Sequence, residues 1–192
     1  INQLKAYLNE YENFALLLHA RKISSGEKNV INTHPYVYSL QMDSHYFFAH
    51  NGTLNTSAVK DAFKIETDAH LSDSLLFGLG VSKNVKNEDD FKKLVKSGKS
   101  FVEDESAFNT INLLYGRNEM NALLTSYHVG HKYDLYYQMF ILRNSHIFAF
   151  MSSTLAFYLD GKLKDNLEEV SNGTLIEIDD VLGLPKITFE PM

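Results

Sequence analysis

Residues 46–54 read YFFAHNGTL. Tyr46, Phe47, Phe48 and Ala49 make a short apolar run of the length and composition expected of a buried strand. It then meets His50, Asn51 and Gly52. Two readings of Asn51-Gly52 stand side by side. Both residues tolerate positive φ, so the pair suits a tight turn that closes the strand. Alternatively, the Asn51 amide and the Gly52 N–H form a two-donor clamp for a carbonyl oxygen acquiring negative charge. The missing side chain of Gly52 would let that oxygen come close.

The surroundings predict how this strand is housed. YVYSLQM (36–42) alternates moderately, and the polar Asp43-Ser44 pair before the apolar run predicts a hairpin. Asn55 to Phe63 reads as one or two helical turns, and Leu71 to Leu79 as a helix ended near Gly80. NEDDFKKLVKS (87–97) has acids in front and lysines behind, matching a helix dipole, with Phe91, Leu94 and Val95 on one stripe. Upstream, Leu4, Leu8 and Tyr11 suggest a short amphipathic helix, and FALLLHA (14–20) a strand buried on both faces. Downstream, AFNTINLLY, the turn-like GRNEMN and ALLTSYHV form a hairpin over 107–129. DLYYQMFILRN, HIFAFMSSTLAFYL, GTLIEIDD and PKITFE supply further strands, STLAFYL reading equally as the start of a helix. Strands with helices grouped in the middle predict an α+β or layered α/β/β/α domain.

Bulk properties bound the function. The 192 residues carry 18 Lys+Arg against 24 Asp+Glu, a formal net charge of −6, so no general positive field attracts nucleic acid or anionic lipid. The chain is 44% hydrophobic and 12% aromatic, enough to build a core. No apolar run is long enough to span a membrane. There is no cysteine, which removes disulfides, thiolate metal sites and any thiol nucleophile from these residues. Cytoplasmic residence is the expectation, from the absence of a signal-like start.

Polar residues near the predicted strand ends are the site candidates. Arg21 stands just past FALLLHA, where its guanidinium either is solvated or grips a carboxylate with two parallel hydrogen bonds. Ser24, Ser25 and Gly26 are loop filler or donors to a small polar ligand. Thr67 and Asp68 precede a helix; either caps it, or Asp68 accepts the ammonium of an amino acid whose carboxylate Arg21 holds. His128 and His131 with Asp134 have no thiolate partner and no H-E-x-x-H spacing, so no metal is expected. Nothing marks a nucleotide-binding loop or a bound cofactor.

In order along the chain, HARKISSG (19–26), NTHPY (32–36), FFAHNGTL (47–54), ETDAH (66–70) and the late FAFMSSTLAFYL (148–159) and LEEVSNGTLIEI (167–178) resemble the class II glutamine amidotransferase domain of the N-terminal-nucleophile hydrolase superfamily. HARKISSG takes the eight places of the family's H-T-R-W-A-T-H-G-like segment, and SNGTLIEI is close to its P-G-E-L-V-E-I pattern. The resemblance implies that Arg21 binds the α-carboxylate of glutamine and that Ser24 and Ser25 shape the pocket. His34, with Pro35, looks like the family's N-A-H-P segment. Asn51 and Gly52 look like the oxyanion pair, and Asp68 like the receiver of the α-amino group.

Family chemistry is hydrolysis of the glutamine side-chain amide to glutamate and ammonia by an N-terminal cysteine. Here Ile1 opens the chain, Lys22 replaces an aromatic residue, the Ser24-Ser25 loop lacks a histidine, and Ala69-His70 replaces the common Ser-Glu. The fold implied is the four-layer α/β/β/α sandwich without its first strands, residues 1–192 forming one domain incomplete at the N-terminus. Two functions follow: glutaminase activity if an upstream cysteine is present, or a catalytically inactive amidotransferase-like fold serving as a structural or protein-interaction module. The partners implied are glutamine or a related amide, with an upstream fragment, a synthetase or a second copy of the chain beside it.

Overall fold

The computed structural model describes residues 10–11, 13–19, 30–40, 44–67, 69–144, 147–159 and 161–192. The hairpin around the opening stretch forms as its pattern predicts. Strand β1 (Tyr36–Ser39) pairs antiparallel with β2 (His45–Gly52), Tyr36 opposite Phe48. Strands β3 (Phe108–Gly116) and β4 (Glu119–Ser126) follow as a second hairpin. Its connecting residues Arg117 and Asn118 both have positive φ, 53° and 65°, matching the twist of a two-residue hairpin turn. With β8 (Thr174–Asp179) and β9 (Lys186–Pro191) these make an antiparallel six-stranded sheet in the order β1-β2-β3-β4-β8-β9. A second antiparallel sheet has the order β6-β5-β7, from β5 (Met139–Arg143), β6 (Phe148–Ser152) and β7 (Leu167–Val170).

Strand alternation divides the large sheet into two working faces. Tyr46, Phe48, Phe108, Leu123 and Leu175 point one way, into a core shared with Leu76, Phe77 and Val81 of helix α2 (Asp73–Asn84). Helices α1 (Thr56–Phe63) and α3 (Glu88–Ser97) complete this layer through Val59, Phe91 and Val95. Ala122, Leu124, Ile176 and Ile178 point the other way and pack on Met139, Ile141 and Val170 of the second sheet. On the outer face of that sheet, Leu142 and Met151 cover Ala156 of the short helix α5 (Ser153–Phe157). The succession helices, sheet, sheet, helix is a mixed α/β fold consistent with the four-layer N-terminal-nucleophile sandwich.

Several local expectations are corrected. Residues 14–19 form no strand, and Phe14, Leu16 and Leu18 are exposed. An extended segment needs a neighbour for its N–H and C=O groups, and no strand among the described residues pairs with it. The first part of DLYYQMFILRN is a helical turn, α4 (Asp134–Tyr137), and STLAFYL resolves into helix α5. Strand β7, in LEEV, carried too little apolar character to be predicted. The predicted amphipathic helix over 1–11 lies largely outside the described residues.

Helix α2 does not end near Gly80 but continues to Asn84. Gly80 is there for contact: a Cβ would lie 2.3 Å from the ring of Phe63 on α1. We expect Gly80→Ala to force the two helices apart and to lower unfolding free energy by about 1–3 kcal/mol, measured by urea denaturation.

Candidate functional site

Asn51 and Gly52 are not a tight turn. They are the last two residues of β2, facing Asn109 and Phe108 of β3. Gly52 has φ 142°, a conformation open to glycine and strained for other residues. A Cβ on it would lie 1.8 Å from the Ala107 carbonyl oxygen and 2.9 Å from His50 Nε2. Both the torsion and the close approach of the neighbouring backbone therefore require glycine.

The support beneath the pair is a buried polar cluster. His50, 2% exposed, has Nε2 3.1 Å from the Ala107 carbonyl oxygen and Nδ1 2.8 Å from Ser74 Oγ. The carboxylate of Asp73, also buried, accepts the Leu54 N–H at 2.7 Å. Thr53 donates its N–H to Ser106 Oγ at 2.7 Å, and Asn55 its N–H to the Phe101 carbonyl at 2.7 Å. Residues 53–55 are thus held by partners on α2 and on the segment before β3, which fixes where β2 ends.

Asp73 and Ser74 reach this position because Ser72 caps α2, accepting the Leu75 N–H at 3.2 Å. Of the two predicted caps, Thr67 instead accepts the Ala69 N–H through Oγ1 in a local turn, and Asp68 lies outside the described residues. Ser72 is anchored in turn. Its N–H donates to Asn32 Oδ1 at 2.9 Å, and its hydroxyl lies 2.8 Å from that of Tyr36.

His34 enters through the same anchor. Its ring meets Tyr36 edge-on at 4.6 Å and His19 at 4.3 Å, with the two imidazole Nδ1 atoms 3.1 Å apart. Phe48 then stands between His34, at 6.5 Å, and His50, at 6.3 Å. Of the predicted site residues, Asn51 and Gly52 are adjacent and His34 is linked to them through Phe48 and His50. Arg21, Ser24, Ser25 and Asp68 lie outside the described residues.

Alternation turns Asn51 to the face opposite His50, the side on which Asn109 stands across from it. Asn109 donates to the Tyr137 carbonyl at 2.6 Å and accepts the Tyr127 N–H at 3.0 Å, so it holds the 127–137 segment beside the pair. In that segment Asp134 contacts both His128 and His131, at 3.4 and 3.2 Å. No group of three His, Cys, Asp or Glu among the described residues is arranged to hold a metal. His50, Asp73 and Ser74 went unrecognised in the sequence. An Asp-Ser pair at a helix start reads as capping, and a histidine after an apolar run reads as packing.

A family described as class-II glutamine amidotransferases matches residues 4–71. The fold is similar to that of glutamine phosphoribosylpyrophosphate amidotransferase from B. subtilis complexed with ADP and GMP, with TM-score 0.57 and 19% identity over 90% of this chain. A second solved structure, described as the allosteric regulatory enzyme of purine biosynthesis, matches with TM-score 0.56 and 18% identity over 90% of the chain. The chain spans 34% of the length of each. No curated protein matches it. No helix among the described residues is long and apolar enough to cross a membrane.

Gly52 and Gly173 separate the two demands made on glycine. Gly173 also has positive φ, 81°, but a Cβ there would meet nothing within 4 Å. We expect Gly173→Ala to cost about 1 kcal/mol from backbone strain alone, and Gly52→Ala at least about 2 kcal/mol more, compared by chemical denaturation. Residues 4–71 thus match the class-II glutamine amidotransferase family, and 90% of the chain shares its fold with the B. subtilis structure.

Proposed function

We propose that these 192 residues form an amidotransferase-like module that recognises a glutamine-type amide but does not cleave it by itself. The observation that carries this reading is the combination at the end of β2. The Asn51-Gly52 pair keeps a backbone that only glycine accommodates, on a buried polar support, while no cysteine occurs in the sequence. In this reading the Asn51 amide and the Gly52 N–H donate to the side-chain carbonyl oxygen of the ligand. Arg21 grips its α-carboxylate, with Ser24, Ser25 and His34 lining the pocket. For the ammonium there are two candidate acceptors: Asp68, and Asp73, which is buried beside Leu54.

A second reading is kept because the pair is so closely built. With a cysteine supplied from upstream of these residues, its thiolate would attack the amide carbon and the oxyanion would collect on Asn51 and Gly52. The amide nitrogen would take the thiol's proton by way of the cysteine's own α-amino group and leave as ammonia, and water would then hydrolyse the thioester to glutamate and the free thiol. An oxyanion donor is worth about 3–4 kcal/mol of barrier in such chemistry. The ammonia would pass to a synthetase partner.

Glutamine titration followed by NMR, with an ammonia assay beside it, tests both readings. The 192-residue chain is expected to shift its Asn51 and Gly52 amide signals without releasing ammonia. Arg21→Ala should abolish the shifts, and comparison of Asp68→Asn with Asp73→Asn should show which carboxylate receives the ammonium. Signals unmoved by saturating glutamine would leave only the structural or protein-interaction role. Ammonia release by the protein with its native upstream residues would establish the hydrolytic reading.

A further inference from the structure

We infer that His50 is a positioning residue for the Asn51-Gly52 pair, locking the Ala107–Phe108 peptide on which Gly52 rests; this rests on the reading of the pair as amide donors. That peptide has a partner at each end. Its carbonyl lies 3.1 Å from His50 Nε2, and its N–H donates to the Tyr127 carbonyl at 2.7 Å. One peptide plane is thus held at both ends, from β2 on one side and from the segment after β4 on the other. The same carbonyl fills the place where a Gly52 side chain would stand. Any rotation of this plane would move the surface against which the Gly52 backbone sits.

The hydrogen-bond chemistry sets the state of the ring. A carbonyl oxygen only accepts, so Nε2 carries a proton, and in the neutral imidazole Nδ1 is left as an acceptor. Ser74 Oγ, 2.8 Å away, then donates to Nδ1 rather than to the more distant Asp73 Oδ1 at 3.5 Å. Ser74 belongs to the first turn of α2, beside Asp73, whose carboxylate holds Leu54. His50 therefore couples three parts that sequence separates: the end of β2, the approach to β3 and the start of α2. The ring is also clamped sterically, stacked on Phe48 at an interplanar angle of 10° and packed against Phe108 at 5.6 Å. Its orientation is fixed independently of any ligand, as a preorganised site requires.

The test uses the 192-residue protein with imidazole ¹⁵N NMR, amide exchange and glutamine titration. His50 is expected as the Nε2–H tautomer at neutral pH. His50→Phe keeps the ring packing but removes both polar contacts. It should speed exchange of the Phe108 amide about tenfold, the effect of one lost hydrogen bond, while Val81 and Ile176 in the core keep wild-type rates. His50→Gln, able to donate to Ala107 and accept from Ser74, should restore Phe108 protection to near the wild-type rate. Unchanged Phe108 exchange in His50→Phe would overturn the inference. So would an Nδ1–H tautomer in the wild type, a result that stands even if His50→Phe fails to fold. Wild-type protein with a protected Phe108 but no response to glutamine would instead defeat the proposed function and leave His50's positioning role intact.

Discussion

The placement of Gly52 against the Ala107 carbonyl is the contact on which the candidate site depends. It brings two backbone segments closer than any side chain would permit, and it occurs where β2 leaves the sheet. Without a side chain, glycine allows such approach in turns and bulges and also where backbone N–H groups meet a ligand. Here the approach is backed on the helix side by His50, Ser74 and Asp73 and on the β3 side by Ser106 and Tyr127. The strand end is consequently determined from several directions, although only its last two residues are proposed to touch anything.

A second buried network stiffens the strands that carry this contact. Burial, with Tyr38 nearby, pushes the Tyr46 hydroxyl well above the ordinary tyrosine range, so it remains a donor. It donates to Asn112 Oδ1 at 2.8 Å, and Asn112 Nδ2 donates to Thr110 Oγ1 at 2.6 Å and to the Leu123 carbonyl at 2.9 Å. Thr125 donates to the Phe108 carbonyl at 2.6 Å, so the hydroxyl proton shared by Thr110 and Thr125 comes from Thr110. The chain of donors therefore runs in one direction, from Tyr46 to Phe108. Such a network, each link satisfied by the next, holds β2, β3 and β4 in register more specifically than apolar packing alone.

The two faces of the large sheet have different tasks. The helix face supplies the packed core and the polar supports, and the opposite face carries Asn51, Asn109 and the 127–137 segment toward the second sheet. Both faces bury apolar side chains that the fold needs. The glycine-only backbone at the boundary between them is the feature that favours the proposed recognition role over a purely architectural one.

Much of the fold was legible because it rests on local periodicity. The hairpin of β1 and β2, the Arg117-Asn118 turn and helix α3 follow from alternation, turn chemistry and charge placement, all properties of neighbouring residues. The absence of a thiol was likewise decided by composition, and the resemblance to the amidotransferase family by the order of short motifs. Tertiary structure decided what needs contact between distant residues. Gly80 reads as a helix end, but it lies inside α2 with Phe63 packed against it; Asn51-Gly52 reads locally as a turn, but the pair lies in β2 beside β3. Asp73 and Ser74 fall inside the predicted Leu71–Leu79 helix, and their contacts depend on β2 lying across the start of α2. Periodicity specifies which face a residue occupies; only packing determines what stands on the other side of it.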